Sequence, residues 1–228
     1  TADGSSGVFA ITSSALTAGS SYNLTVTATD TAGNTSTASD PVAFTIDTTA
    51  PGKPTISTPD TTTNVTTPSV SGTAEAGSTV KLFSGSSELG STTANTDGSF
   101  TITSPSLAEQ DFVFTVTATD AAGNTSTASD PVAFTIDTTN PAQPTISTSS
   151  TTTNVTTPTI SGTAEAGSTV KLFSGSTELG STTADGSSGV FAITSSALFS
   201  GSYNLTVTAT DTAGNTSTAS DAVTFTID

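Results

Sequence analysis

The strongest constraint on this chain is that it repeats itself almost word for word. The string Thr-Ala-Thr-Asp ends at Asp30, Asp120 and Asp211, 90 and then 91 residues apart. Each copy runs on into an Ala-Gly-Asn-Thr-Ser-Thr-Ala-Ser-Asp segment ending at Asp40, Asp130 and Asp221, and Phe-Thr-Ile-Asp closes at Asp47, Asp137 and Asp228. A sixteen-residue string, Ser-Gly-Thr-Ala-Glu-Ala-Gly-Ser-Thr-Val-Lys-Leu-Phe-Ser-Gly-Ser, occupies both 71–86 and 161–176. Tandem copies of this length mean that one structural unit is built again and again, each able to bury its own core. The units divide as residues 1–47, matching the second half of a repeat, and two complete repeats at 48–137 and 138–228.

Apolar residues within a unit recur every second position. Phe112, Phe114, Val116 and Ala118 alternate with Val113 and three threonines, and Val132, Phe134 and Ile136 alternate with Ala133 and Thr135. This is the pattern of a strand with one face in a core and one in water. No stretch carries a 3.6-residue apolar stripe, so the expected class is all-β. The middle repeat reads as seven strands: 54–58, 68–75, 79–84, 90–95, 99–104, 112–119 and 131–137. Turns at Glu75-Ala-Gly77, Gly85-Ser-Ser87, Asp97-Gly98, Ser104-Pro105 and Ala122-Gly-Asn124 separate them. Seven short strands in about 90 residues is the count of an immunoglobulin-like sandwich. Tyr22 and Tyr203 stand where a tyrosine corner would, but Phe112 has no hydroxyl at the equivalent place, which argues against that corner. Asp47-Thr-Thr-Ala-Pro-Gly-Lys-Pro54 and Asp137-Thr-Thr-Asn-Pro-Ala-Gln-Pro144 are short proline-containing linkers that favour extended backbone.

The order of these motifs resembles the bacterial Ig-like repeat family: Ser-Gly-Thr-Ala-Glu-Ala-Gly-Ser-Thr-Val, then Asp-Gly-Ser-Phe at 97–100, then Val-Thr-Ala-Thr-Asp-Ala-Ala-Gly-Asn-Thr-Ser. The resemblance implies giant adhesins and biofilm proteins exported by type I secretion and displayed on the bacterial cell surface. It further implies many more copies in the parent protein and calcium at the joints between modules.

Charge narrows the partners. The chain holds nineteen acidic residues, three lysines, no arginine and no histidine, for a net charge of −16. Nucleic acid needs clustered Lys or Arg, so it is not an expected partner. No apolar run is long enough for a membrane-spanning helix, so direct membrane insertion is not expected. The absence of cysteine leaves the modules to their apolar cores or to metal.

In an Ig-like sandwich, the loops after strands two, four and six share one pole with the start of strand one. That pole should gather Glu75, Asp97, Asp120, Asn124 and Asp130, with Asp47 delivered from the preceding module. The second joint repeats the set with Asp137, Glu165, Asp185, Asp211, Asn215 and Asp221. Crowded carboxylates repel, and a hard divalent cation with six to eight oxygen ligands would resolve this. This spacing alone leaves calcium and plain turn chemistry as alternatives; the resemblance implies calcium as the cofactor, with Asp47 and Asp120 as leading ligands. Ordinary turn chemistry accounts for Asp and Asn in the same loops, Asp97 above all.

Ser78-Thr-Val-Lys81 and Ser168-Thr-Val-Lys171 match the Ser-x-x-Lys pattern of penicillin-recognising enzymes, but that chemistry needs a helix and these lie on a strand. With no His or Cys either, no enzymatic activity is expected. The reading is a structural spacer whose partners are neighbouring repeats of the same chain, with host or biofilm surfaces met by other regions of the parent. Two alternatives stand beside it. One is a glycan- or surface-binding module. The other is a filament subunit completed by strands in trans, because 1–47 holds only about three strands.

Overall fold

The computed structural model describes residues 2–3 and 5–228, and they form an all-β chain. Residues 1–47 contribute β1 (Ser20–Leu24) and β2 (Val42–Ile46), one antiparallel pair. The middle repeat holds β3 (Thr55–Ile56), β4 (Thr61–Thr63), β5 (Ser69–Thr73), β6 (Thr79–Ser84), β7 (Ser87–Thr93), β8 (Ser99–Thr103), β9 (Gln110–Thr119) and β10 (Val132–Ile136). The last repeat copies it with β11 (Thr145–Ile146), β12 (Thr151–Thr153), β13 (Thr159–Thr163), β14 (Thr169–Ser174), β15 (Thr177–Thr183), β16 (Val190–Thr194), β17 (Gly201–Thr210) and β18 (Val223–Ile227). Each complete repeat is a sandwich of a three-stranded sheet, β3-β5-β8 or β11-β13-β16, and a five-stranded one, β4-β10-β9-β6-β7 or β12-β18-β17-β14-β15.

A complete repeat thus has eight strands rather than seven. The additional strand is β4, which pairs parallel with β10. It consists of three threonines, so it shows no apolar alternation; main-chain pairing and the strand preference of threonine hold it at the sheet edge. The strand expected at 90–95 starts earlier, at Ser87. The two-residue turn Gly85-Ser86 joins it directly to β6, so it lies in the larger sheet.

The alternating apolar residues fill the space between the sheets. Val70, Val80, Leu82, Phe114 and Val116 are fully buried, and Phe100, Ile102 and Phe134 nearly so. Phe114 packs against Phe134 with ring centroids 4.8 Å apart. In the last repeat Leu205 and Phe225 take these two places. Burying side chains of this size stabilises by about 1.5–3 kcal/mol each.

Outside the core, hydroxyls bond across the strands of the smaller sheet: Thr55 to Thr73 at 2.8 Å, Ser71 to Thr101 at 2.9 Å, Ser69 to Thr103 at 2.8 Å. The outward threonines therefore pair with one another as rungs of the sheet. Tyr203 donates its hydroxyl to the Phe199 carbonyl at 3.0 Å, and Tyr22 accepts from the Thr17 N–H at 2.8 Å. Contrary to expectation, the tyrosine corner exists in both copies that carry the residue.

The Thr-Ser-Thr-Ala-Ser-Asp segment has a structural reason of its own. After β9 the chain turns back along that strand without forming a regular strand. The Val116 N–H is accepted by Ser129 Oγ at 3.0 Å and the Ala118 N–H by Ser126 Oγ at 3.0 Å. Both serines are buried and pass their own protons to the carbonyls of Asp130 and Thr127. Ser129→Ala would leave the Val116 N–H buried and unbonded. Denaturant unfolding should show a loss of about 1–3 kcal/mol in that repeat; a loss under a few tenths would mean that water replaces the hydroxyl.

Residues 1–47 carry the same core residues with much less covering them. Phe9 is 51 % exposed and Ile11 71 %, against 2 % for each of their counterparts Phe191 and Ile193. The strand expected near them does not form, because its counterpart β16 is held by β13, and residues 1–47 contain no such partner.

Candidate joint site

Loop geometry at the pole is set first by the two hairpins that end there. Ala74 N–H bonds the Gly98 carbonyl at 2.9 Å and Gly77 N–H the Ala94 carbonyl at 3.0 Å, which ties the Glu75 loop to the Asp97 turn. Thr79 pairs with Thr119, so the Asp120 loop emerges beside them. Sequence topology therefore placed Glu75, Asp97, Asp120 and Asn124 correctly at one end, with the equivalents Glu165, Asp185, Asp211 and Asn215 in the last repeat.

Asp130 and Asp221 do not stand there. Ser129 N–H bonds the Val116 carbonyl and Ser220 N–H that of Val207, three residues back from the strand end, or ~10 Å along it. Asp130 instead pairs with Lys53 at 2.6 Å. In the last repeat Gln143 replaces that lysine and donates to the Ala219 carbonyl at 2.7 Å. The expectation failed because the segment before strand seven folds back along strand six before pairing.

The remaining aspartates have local partners. Asp97 accepts from the Ser99 hydroxyl at 2.7 Å and its N–H at 2.9 Å. Asp185 accepts from both the N–H and hydroxyl groups of Ser187 and Ser188. These bonds hold its carboxyl well below the usual range, led by the Ser188 N–H. Asp47 and Asp137 accept the Thr49 and Thr139 N–H groups at 2.9 and 3.0 Å, shaping the first turn of each linker.

The Asp120 loop is more elaborate. Its carboxylate accepts the Asn124 N–H at 2.9 Å on one oxygen and the Asn124 side-chain amide at 2.8 Å on the other. Gly123, at φ 93°, turns the chain so that Asn124 can reach back. The Asn124 amide lowers the Asp120 pKa. At Asp211, partial burial pushes the pKa up but the bonds from Asn215 and its neighbours outweigh it. The asparagine amide then spends a second proton outside the module. Asn124 donates to the main-chain carbonyl of Asp47 at 3.2 Å, and Asn215 to that of Asp137 at 2.9 Å.

Two contributors at the second joint escaped the sequence reading. Glu109, in the loop before β9, accepts the Thr138 and Thr139 hydroxyls at 2.6 and 2.7 Å, which lowers its pKa below 4.5. The Asn64 N–H, in the loop after β4, bonds the Ala213 carbonyl of the next repeat at 3.0 Å. Only the recurrence of Asn154 at the equivalent place of the last repeat marked that loop in the sequence.

At the first joint, Asp47, Glu75 and Asp120 line one open cleft of about 570 Å³, with Thr45 and Gly77 among its other walls. Their oxygens are of the kind that a hard cation prefers. Among the described residues, though, no three acidic side chains stand close enough together to hold an ion as placed. Lys81 pairs with Glu88 at 2.9 Å while Ser78 is buried beneath the strand, so the Ser-x-x-Lys pattern does not assemble a catalytic pair. Among the described residues no helix is long and apolar enough to cross a membrane.

Residues 1–48, 52–138 and 140–228 each match the bacterial Ig-like domain family. The chain belongs to that family. A curated relative, Chitinase A1 of Niallia circulans, is 39 % identical over 130 residues, 54 % of this chain and 18 % of the relative. The chain thus spans less than a fifth of that protein's length. Among solved structures, the fibronectin(III)-like modules of Clostridium thermocellum CbhA align at 18 % identity with a TM-score of 0.51, over 77 % of this chain and 94 % of theirs. That likeness shows the fold. A tetra-tandem repeat from the extending region of a large adhesion protein aligns at 24 % identity over 91 % of this chain and 56 % of that one, with a TM-score of 0.32.

Proposed function

We propose that these repeats are a non-catalytic spacer, a run of Ig-like modules that holds other parts of an extracellular bacterial adhesin at a distance. The observation that carries this reading is the second joint, where Asn64 and Asn215 bond one repeat to the next across the linker. Consecutive modules that grip each other transmit position along the chain, which a spacer must do and a free ligand-binding module need not. Near-identical copies in a row support the same reading, since each joint then repeats the last. Display on the cell surface and export by type I secretion belong to this proposal.

Calcium belongs to it as well. Asp47, Glu75 and Asp120 at the first joint would hold the ion after turning toward the cleft they share, as would Asp137, Glu165 and Asp211 at the second. Bound there, calcium would join ligands from both sides of a linker. Extracellular calcium modules bind at ~10⁻⁴–10⁻³ M, so about 10 mM calcium should stabilise each occupied joint by about 1.4–2.7 kcal/mol over the chelated protein. Calorimetric titration and thermal melting would both register this. No heat and an unchanged melting temperature would remove calcium from the account and leave the spacer intact.

The match to Chitinase A1 favours a second setting for the same role: a spacer between the domains of a secreted polysaccharide-degrading enzyme. Retention of this chain on insoluble chitin would instead make it a binding module and overturn the spacer reading.

A further inference from the structure

The Asp-x-x-Gly-Asn loop occurs three times, with Thr31, Ala121 and Thr212 as its second residue, and the copies differ in what their asparagine meets. In residues 1–47 the loop is closed in the usual way: Asn34 donates its N–H and its amide to the Asp30 carboxylate at 2.8 and 2.9 Å. No module precedes it among the described residues, and the loop is closed all the same. Asn124 makes the same bonds and reaches the Asp47 carbonyl at 3.2 Å, across the joint with residues 1–47. Asn215 makes them across a joint between two complete repeats, where its bond to the Asp137 carbonyl shortens to 2.9 Å and its side chain is 6 % exposed. Ala213 beside it falls to 7 % exposed, whereas Ala122 and Ala32 are open to solvent. The closing contact is the Asn64 N–H on the Ala213 carbonyl, supplied by the upstream repeat and absent from the first joint.

The two protons of the Asn215 amide thus lie between two oxygens, the Asp211 carboxylate of one repeat and the Asp137 carbonyl of the other. A cation bridging the repeats would have to satisfy the same oxygens. We propose that the joint between complete repeats is locked by this amide, with Asn64 completing the lock, and that the lock needs no metal. The proposal goes beyond the spacer reading and competes with calcium at this joint, because both need the Asp211 carboxylate; a silent calcium titration would leave it standing.

Asparagine and aspartate at position 215 separate the two kinds of joint. Aspartate cannot donate, and it would set a second carboxylate against Asp211 and the Asp137 carbonyl. With an amide lock it must break the joint, whereas a cation in its place would welcome the added charge. The chain has no cysteine, so Ser86→Cys and Ser176→Cys, at the tips of equivalent hairpins, accept spin labels specifically. Distances between the labels would be measured in the full chain, in chelator and again in millimolar calcium.

The expected result is a narrow distribution for the parent protein in chelator. Asn215→Ala and Asn215→Asp should each broaden it roughly twofold, since domains joined by a small polar interface move freely once its few bonds are lost. Calcium should not restore Asn215→Asp. Asn34→Ala, which alters the same loop where it meets no neighbour, should leave the width unchanged, and circular dichroism would verify that each variant remains folded. A parent distribution that is broad in chelator and narrows only with calcium would overturn the proposal. So would either Asn215 variant as narrow as the parent, or calcium narrowing Asn215→Asp.

Discussion

Replacing Gly162 by alanine should shift the melting of the last repeat down by well over ten degrees. Gly162 lies within β13, opposite Phe191, whose ring lies across it in the core. A methyl group there would run into the Thr145 carbonyl oxygen and stand 2.7 Å from the Phe191 ring. Neither neighbour can retreat. Thr145 is fixed by pairing with Thr163, by a 2.7 Å bond between their hydroxyls, and by the buried Pro144 before it. Phe191 is 2 % exposed and wedged between the sheets. Overpacking of this kind costs about 3 kcal/mol or more, a large share of the ~5–15 kcal/mol that holds a domain together. In a repeat of this size each kcal/mol moves the midpoint by roughly 4–8 °C, so the shift should be about 12–24 °C.

Scanning calorimetry would place the loss in one transition and leave that of the middle repeat unaltered. Gly72→Ala should do the reverse, because Gly72 meets Thr55 and Phe100 in the same way. Gly186→Ala is the control, since nothing lies within 4 Å of its added methyl group; it should stay within about 0.5 kcal/mol of the parent. A Gly162→Ala protein that melts like Gly186→Ala would mean that β11 and β13 are not packed as described.

That glycine also marks how far the sequence could be read. Alternation located β9 and β10 because both faces of each strand are written in residue type, apolar toward the core and threonine toward water. It could not locate β4, whose three threonines carry no facing information and whose place follows from pairing with β10. The Ser-Gly-Thr-Ala string stood out as a repeat, but its glycine is required by an aromatic ring far along the chain, Phe100 for Gly72 and Phe191 for Gly162. Ser126 and Ser129 entered only as part of a repeated string, and in the structure their hydroxyls take the β9 N–H groups that a neighbouring strand would otherwise bond.

The carboxylates divide in the same manner. That Glu75, Asp97, Asp120 and Asn124 share a pole followed from topology, and it held. What each one bonds to was legible only where the partner is a few residues away, as for Asp97 with Ser99. Asp130 was misplaced because the fold-back before β10 has no apolar pattern. Asn124 and Asn215 were singled out at the right place as metal ligands, yet in the structure each amide acts as a hydrogen-bond donor across the joint. Glu109 gave no signal at all, since its partners, Thr138 and Thr139, lie in the linker.

The second large effect concerns the whole chain. Strands of six to eight residues span ~20–26 Å, so a module with its loops and linker adds roughly 40 Å to a row. Two complete repeats and a half should therefore extend about 100 Å, and a rod of that length has a radius of gyration of about 30 Å. The same 228 residues packed into one globule would give about 17 Å. At the second joint the bonds from Asn64 and Asn215 contribute roughly 0.5–1.5 kcal/mol each against bending, and the two hydroxyl bonds of the Glu109 clasp on the linker add to them. The Glu109 clasp should weaken in acid. Its carboxyl titrates below the free value of 4.5, so the clasp is complete above that pH and is lost as the pH falls through the lowered pKa.

Small-angle scattering of the full chain at neutral pH in chelator measures this directly. A spacer of mutually gripped repeats predicts a radius of gyration near 30 Å, with a pair-distance curve skewed toward long distances. A value near 17 Å with a symmetric curve would contradict it, because the repeats would then be folded against one another instead of in a row.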